Sequence, residues 1–204
     1  MINYKRLLIS FIICAIIIFS GTSLATDSYW EQHYEQAEVK YNENPDSLAN
    51  NYYKTVSMAN LGMINETMDI LDQFQDDFSR DEFDEMFNQE VNNINQKEDK
   101  LLYLNYHAFY YVIFDEYDNA IDYFDKIIEI DSDNIWPLNY KSAALIESER
   151  FEEAHDSLNK SLDIENNQYT RLLLGVNYYE QGHKLRAINE LRKTGSLLSD
   201  FIFW

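Results

Sequence analysis

Apolar and polar positions follow a helical period wherever the pattern is regular. In residues 28–43 the apolar side chains fall on one face of a helix, namely Trp30, Tyr34, Ala37 and Tyr41. A second run at this spacing comprises Phe83, Met86, Phe87, Val91 and Ile94, directly after Ser79-Arg80-Asp81-Glu82. That tetrapeptide matches a capping box, in which Ser and Glu satisfy the first backbone N–H groups of a helix. The pattern therefore predicts helices over 28–43 and about 80–95.

The second half of the chain repeats itself at intervals of 34 and 33 residues. Ala120, Ala154 and Ala187 occupy equivalent positions, and 12 residues before each of them stands another small residue, Ala108, Ser142 and Gly175 respectively. Two antiparallel helices joined by a tight turn need small residues where they cross and bulky residues around the crossing. The bulky positions are also equivalent: Tyr111, Phe124, Leu145, Leu158, Tyr178 and Leu191. Gly182 supplies the positive backbone angle that ends a helix. The pattern predicts three helix-turn-helix units.

These positions resemble the tetratricopeptide repeat (TPR) family. The family's G-x2-Y and A-x3-F elements are retained as Ala108/Tyr111 with Ala120/Phe124, as Ser142/Leu145 with Ala154/Leu158, and as Gly175/Tyr178 with Ala187/Leu191. The sequence departs from the family in lacking its inter-repeat proline and in carrying Leu104, Leu138 and Arg171 in place of its early tryptophan. The resemblance implies an all-α fold, a right-handed α-solenoid. Its TPR-like repeats would span 101–134, 135–167 and 168–201, with an aromatic tail at 202–204.

Residues 26–100 keep only traces of the repeat. Thr55-x2-Met58, Gly62 and Thr67-x3-Leu71 preserve the 12-residue offset, but Thr67 and Ala120 are 53 residues apart, which is one repeat plus 19 residues. We therefore expect degenerate N-terminal helices with an extra helix inserted near 80–95. This helix would brace two parts of the array; a lid is the alternative.

Residues 1–25 have the composition of a targeting segment. Lys5 and Arg6 precede an apolar run from Leu7 to Ser20, and Ser23-Leu24-Ala25 matches a small-x-small cleavage site. The uncharged stretch 7–25 also has the length of a membrane span, so a cleaved signal peptide and an uncleaved anchor both remain open. Either reading predicts an exported repeat domain, periplasmic or otherwise extracytoplasmic, or tethered to the membrane through residues 7–25.

Composition narrows the class of partner. The chain has 16 Lys and Arg against 36 Asp and Glu, a formal charge of -20, and no dense basic cluster of the kind that nucleic acids require. We therefore expect no nucleic-acid partner. The single cysteine, Cys14, allows neither an internal disulfide nor a cysteine-based zinc site. The acidity fits solubility or a salty habitat, and alternatively a basic partner.

No motif indicates catalysis. The four histidines, His33, His107, His155 and His183, lack the spacing of a zinc-protease helix, and His107 is expected to pack while His155 and His183 face solvent. Asp131-Ser-Asp133-Asn134 begins like a calcium loop, but Trp136 stands where its glycine belongs. We interpret it as an inter-repeat turn in which Asn134 caps a helix. The sequence thus predicts no catalytic residue, no metal site and no cofactor.

The concave face of the array is the predicted binding site, because the first helix of each repeat lines it. The residues we expect to contact a partner are Asn105, Phe109, Trp136, Asn139, Tyr169 and Tyr179, beside Leu102, Val112, Ala143, Ile146, Leu172 and Val176. Equivalent Asn105 and Asn139 would bond a peptide backbone, and the aromatic rings would form pockets.

These observations favour a non-enzymatic scaffold that binds a protein or peptide partner at the cell envelope. The alternative is an accessory subunit of an envelope enzyme that binds a ligand or cell-wall polymer, because tyrosine-rich grooves stack on sugar rings. The end of the chain, Phe201-Ile202-Phe203-Trp204, either covers the last repeat or serves self-association.

Overall fold

The computed structural model describes residues 26–195, apart from 65, 68, 69, 71–73 and 75–77. All regular structure in this part of the chain is helical, and nine helices have both ends defined there: α1 Thr26–Glu43, α2 Leu48–Asn60, α3 Arg80–Asn93, α4 Lys100–Ile113, α5 Tyr117–Ile130, α6 Ile135–Glu147, α7 Phe151–Ile164, α8 Gln168–Glu180 and α9 Lys184–Arg192.

The predictions for residues 1–25 and for the tail 202–204 lie outside the described residues. Among the described helices, none combines the length and apolarity needed to cross a bilayer. The division into 26–100 and 101–201 stays a prediction.

Each of four helices ends in the same turn. Gly62, Asp115, Glu149 and Gly182 have φ of 72°, 58°, 59° and 77°. The N–H of the next residue bonds the carbonyl five positions back, at 3.1 Å for Met63 to Met58 and 2.8 Å in the other three turns. This is the Schellman motif, which satisfies carbonyl groups left unpaired at a helix end. The turn after α2 therefore has the geometry of the three turns in the repeat region.

Side-chain caps set where several helices begin. Asn134 accepts a hydrogen bond from the Trp136 N–H at 3.0 Å, and Asn167 accepts one from the Tyr169 N–H at 2.8 Å. Both are N-cap residues, of α6 and α8. The interpretation of residues 131–134 as a capped inter-repeat turn is confirmed.

Consecutive helices pack side by side along the chain. The pairs α4/α5, α6/α7 and α8/α9 form hairpins, and α5/α6 and α7/α8 join each hairpin to the next. The small residues Ala108, Ala120, Ser142, Ala154 and Gly175 are all buried at these crossings. A Cβ on Gly175 would lie 2.9 Å from the Leu191 side chain, so α8 and α9 approach more closely there than a larger residue allows. One continuous apolar core runs from Trp30 in α1 to Val176 in α8.

Helix α3 lies between α2 and α4. Its capping box is present, with Ser79 and Glu82 bonded in both directions. The buried rings of Phe83 and Phe87 contact Tyr52 of α2 at centroid distances of 5.2 and 6.4 Å, and Phe87 stacks on Tyr110 of α4 at 4.2 Å. Arg80 forms an ion pair with Glu116 in the turn between α4 and α5. These contacts tie α3 to both sides, as a brace requires.

Candidate protein-binding surface

The predicted concave residues were expected to line an open groove, but four of the six are buried. Asn105 and Phe109 lie on the covered side of α4. The Asn105 Oδ1 accepts a hydrogen bond from the Asn60 amide of α2 at 2.9 Å, and Phe109 contacts Phe124 and Tyr140 edge to face. Neither side chain offers a free surface to a peptide in this structure.

Asn139 and Tyr169 are also buried, and Asn139 holds helices together. Its Oδ1 accepts from Ser161 of α7 and from Thr170 of α8, each at 3.0 Å. Burial raises the pKa of the Tyr169 hydroxyl well above its usual value. Asn139 therefore bonds three helices to one another, and its predicted role in binding a peptide backbone is corrected.

Helix α2 explains much of this burial, because its C-terminal end contacts both α4 and α6. The Tyr140 hydroxyl donates to the Ala59 carbonyl at 2.9 Å, and the Trp136 indole lies against Gly62 so closely that a Cβ there would overlap the ring. The degenerate N-terminal unit thus occupies space that a peptide would need. The single repeats did not reveal this contact, since Gly62 and Trp136 are 74 positions apart.

Trp136 and Tyr179 are the accessible members of the predicted set. Trp136 is half-buried between Gly62 and Tyr169, whose ring centroid is 5.8 Å away. Tyr179, at the end of α8, is 52% exposed. Among the other predicted positions, Val112 and Ala143 are half-buried, and Leu102, Ile146, Leu172 and Val176 are buried.

The final described hairpin carries the largest exposed apolar side chains of the repeat region. Leu185 is 85% exposed and Ile188 is 49% exposed, both on α9. They are one helical turn apart and therefore share a face. Together with Tyr179 across the α8–α9 turn they form a surface that we call the terminal patch. Leu185 and Ile188 were missed from the sequence, although position-by-position comparison of the repeats would have flagged Leu185, whose equivalents are Asp118 and Glu152.

The histidines occupy structural environments. His107 packs among aromatic rings as predicted, with the Tyr123 ring stacked at 4.7 Å. His155 was expected to face solvent, but it is half-buried and lies 2.9 Å from the Tyr178 hydroxyl, because α8 packs against α7 at that position. His183 is exposed.

A polar cluster joins the N-terminal helices to the repeat region. His33 Nδ1 lies 2.6 Å from the Tyr53 hydroxyl, and its Nε2 lies 3.5 Å from Asp99, which precedes α4. Burial lowers the pKa of His33, although the Asp99 carboxylate opposes that shift. Burial and the same carboxylate raise the pKa of Tyr53 to about 12. Within the described ranges, no three His, Cys, Asp or Glu side chains are placed to hold a metal ion.

Comparison with solved structures identifies the architecture. Over 84% of this chain and 96% of the other, the described structure matches the TPR-like all-helical protein MamA (MSR-1 C2) with a TM-score of 0.51 and 17% sequence identity. The fold is a TPR-like solenoid. A second MamA structure, AMB-1 P212121, covers 85% of this chain and 92% of its own at 18% identity, with a TM-score of 0.46. No family model and no curated protein matches the sequence. The predicted all-α solenoid is confirmed; at this identity the likeness concerns the fold alone.

Proposed function

We propose that this protein is a non-enzymatic scaffold that binds a protein partner through the terminal patch. The observation that carries the proposal is the exposure of Tyr179, Leu185 and Ile188 on one hairpin. Aromatic and aliphatic side chains surrounded by charged residues are typical of the anchors of protein interfaces. The TPR-like fold supports this function, because stacked helical repeats present extended surfaces to partners.

The proposed location is the cell envelope, outside the cytoplasm. Support comes from the basic start, apolar run and small-x-small end of residues 1–25. A cleaved segment would release the scaffold, and an uncleaved one would tether it to the membrane.

The test is co-purification of cross-linked partners from membranes of the cells that naturally make the protein. A tag inserted between Gln96 and Lys97, which are exposed in the turn before α4, leaves the terminal patch free. The variant pair is Leu185→Glu with Tyr179→Ala, and the matched control is Glu152→Ala, at the position of α7 equivalent to Leu185. Trp136→Ala is unsuitable because it also removes the contact with Gly62.

We expect a stoichiometric companion that the control retains and the double variant loses. Identical companions from both variants would remove the terminal patch from the proposal, and the absence of any companion above an untagged sample would overturn the scaffold function itself.

The alternative, an accessory subunit that binds a cell-wall polymer, has one observation in its favour. Tyr103, Tyr111 and Tyr123 are half-buried around His107, with the rings of Tyr111 and Tyr123 5.6 Å apart at an interplanar angle of 29°. Flat, partly exposed rings of this kind stack on sugars. Co-sedimentation with insoluble cell-wall polymer, lost in Tyr111→Ala/Tyr123→Ala and kept in Leu185→Glu, would favour this function over the first.

A further inference from the structure

The outer face of α9 differs from the equivalent faces of α5 and α7 in charge. Three successive outer positions are Asp118, Asp122 and Asp125 in α5, and the same positions in α9 are Leu185, Asn189 and Arg192. Lys184 and Arg186 also stand on α9, and all of these α9 side chains are exposed. The acid of α9, Glu190, is buried and bonded to Arg171 and Lys193. The exposed face of α9 is therefore basic with an apolar centre, in a chain whose formal charge is -20.

The same face lacks the neighbour that equivalent faces have. Ile121, the counterpart of Ile188, is only 3% exposed because α6 packs against α5 there, and His155, the counterpart in α7, meets Tyr178 of α8. Within the described residues no helix follows α9. Its outer face thus retains the shape that receives a helix in the preceding repeats.

Helix α1 presents the opposite kind of face at the other end of the described array. Its inner side, with Trp30, His33 and Ala37, is buried against α2. On the outer side Val39 is 58% exposed, and Glu31, Glu35 and Glu43 lie at four-residue intervals from it. Residues at this spacing share one helix face. The one exposed base of this helix, Lys40, lies over the Tyr53 ring at 5.1 Å. The outer face of α1 is therefore acidic with an apolar centre.

We propose that copies of this chain associate head to tail, with the outer face of α1 of one copy seated on the outer face of α9 of the next. Val39 would contact Leu185 and Ile188, and the α1 carboxylates would meet Lys184, Arg186 and Arg192. The contact uses two different surfaces, so it is heterologous and extends into an open chain of copies rather than closing as a two-fold dimer. It rests on the proposed scaffold function and gives that scaffold a second copy of itself as partner.

Charge favours this occupant over an anionic membrane. The acidic face of α1 matches the basic face of α9 in both sign and apolar centre, whereas a bilayer of anionic lipid would repel the remainder of a chain with charge -20. Complementary charges across an interface also exclude the pairing of two α1 faces or two α9 faces.

Disulfide trapping tests the register. The full chain carries Cys14→Ser, and one sample adds Val39→Cys while a second adds Leu185→Cys. Mixed under mild oxidation, the two samples should give a cross-linked dimer in about tenfold excess over a mixture of Val39→Cys with Glu152→Cys, because the proposed contact holds the first pair of thiols at high effective concentration. Equal yields from both mixtures would overturn the proposal.

Charge exchange tests the polarity of the contact by sedimentation of the full chain in detergent. Variant A carries Lys184→Glu and Arg186→Glu, so both its ends are acidic; variant B carries Glu35→Lys and Glu43→Lys, so both its ends are basic. The α9 changes place acids near a helix N-terminus and Glu43→Lys places a base at a C-terminus, positions that the helix dipole favours. We expect each variant alone to remain monomeric and an equimolar mixture to assemble like the unmodified chain.

Three results would contradict the inference. The unmodified chain could remain monomeric over the concentration range tested, the A/B mixture could fail to assemble, or variant A could lose binding to anionic vesicles, which would assign the α9 face to a membrane. A monomeric chain that still retains its companion in the co-purification would remove self-association and leave the scaffold function standing.

Discussion

At the scale of single residues, His107 shows how burial controls a titrating group. Four aromatic rings surround its imidazole, those of Phe87, Tyr103, Tyr111 and Tyr123. Neither ring nitrogen meets a hydrogen-bond partner among the described residues. Burial, assisted by the nearby Lys126 ammonium, lowers the pKa of His107 to about 4. The folded protein therefore holds His107 neutral where an unfolded chain would begin to protonate it.

We predict that His107 makes the protein less stable in mild acid. A depressed histidine pKa leaves stability complete above about pH 6.5, and stability falls as the pH drops from there toward the folded value. After allowance for solvent screening the loss is about 1 to 2 kcal/mol. His107→Phe keeps the ring packing and should flatten the dependence, measured by urea unfolding at two pH values. His33 titrates in the same direction and is unchanged in the variant. The exposed control His183→Gln should retain the full dependence, and a His107→Phe profile identical to that of the unmodified chain would disprove the assignment.

The turn glycine Gly182 provides a second prediction at this scale. Its φ is 77° and a Cβ there would meet nothing within 4 Å, so only the backbone conformation opposes a side chain. Gly182→Ala should lower the free energy of unfolding by about 1 kcal/mol, because left-handed geometry costs an L-residue roughly that much. Gly182→Asn is the control and should lose less, since asparagine tolerates this region. Denaturant midpoints measure both, and equal losses would point to a cause other than backbone strain.

Sequence reasoning at the residue scale succeeded where a residue type has one physical use. It predicted the positive backbone angle of Gly182 because glycine is the usual residue there. It did not predict the same angle at Asp115 and Glu149, since neither residue type indicates it. Those two turns follow from the repeat, which places them 34 and 33 residues apart from the next equivalent turn, as far as Gly182.

At the scale of helices, α3 is predicted to stabilise the junction between α2 and α4. Phe83 is fully buried, with the rings of Tyr52, Phe74 and Phe114 between 5.2 and 5.6 Å away. Phe83→Ala should cost about 3 to 5 kcal/mol, as typical for a buried phenylalanine. Calorimetry or urea unfolding checks this value. Gln89→Ala, at an exposed position of the same helix, is the control and should change stability by no more than about 0.5 kcal/mol. A small loss at Phe83 would mean that α3 is peripheral rather than a brace.

Local signals predicted where α3 and α6 begin. The capping box at Ser79 and the cap at Asn134 each depend on residues within three positions along the chain, so the sequence is sufficient to identify them. The partners of α3 are different. Phe83 reaches Tyr52 and Phe114, which are 31 residues away on either side, and helical periodicity does not identify such contacts.

At the scale of the whole molecule, the contact between Gly62 and Trp136 joins the N-terminal unit to the second repeat. Gly62→Ala should destabilise the protein by about 1 kcal/mol more than Gly182→Ala at the least, because an overlap with the indole is added to the same backbone strain. Trp136→Ala in the Gly62→Ala background should recover part of this difference. A double-mutant cycle from urea unfolding gives the coupling free energy. Additive effects would show that the two residues do not interact.

The sequence by itself determined the helical class, the 34-residue repeat and the turns, because each depends on residues close together in the chain or on a pattern that recurs. Only the tertiary structure decided which surface is open. The inner faces of α4 and α6 read as binding surface one repeat at a time, yet the end of α2 covers them through Asn60, Ala59 and Gly62. The exposed apolar positions lie on α1 and α9. Burial depends on contacts among distant segments, and periodicity shows only which face of a helix is apolar, not which neighbour covers it.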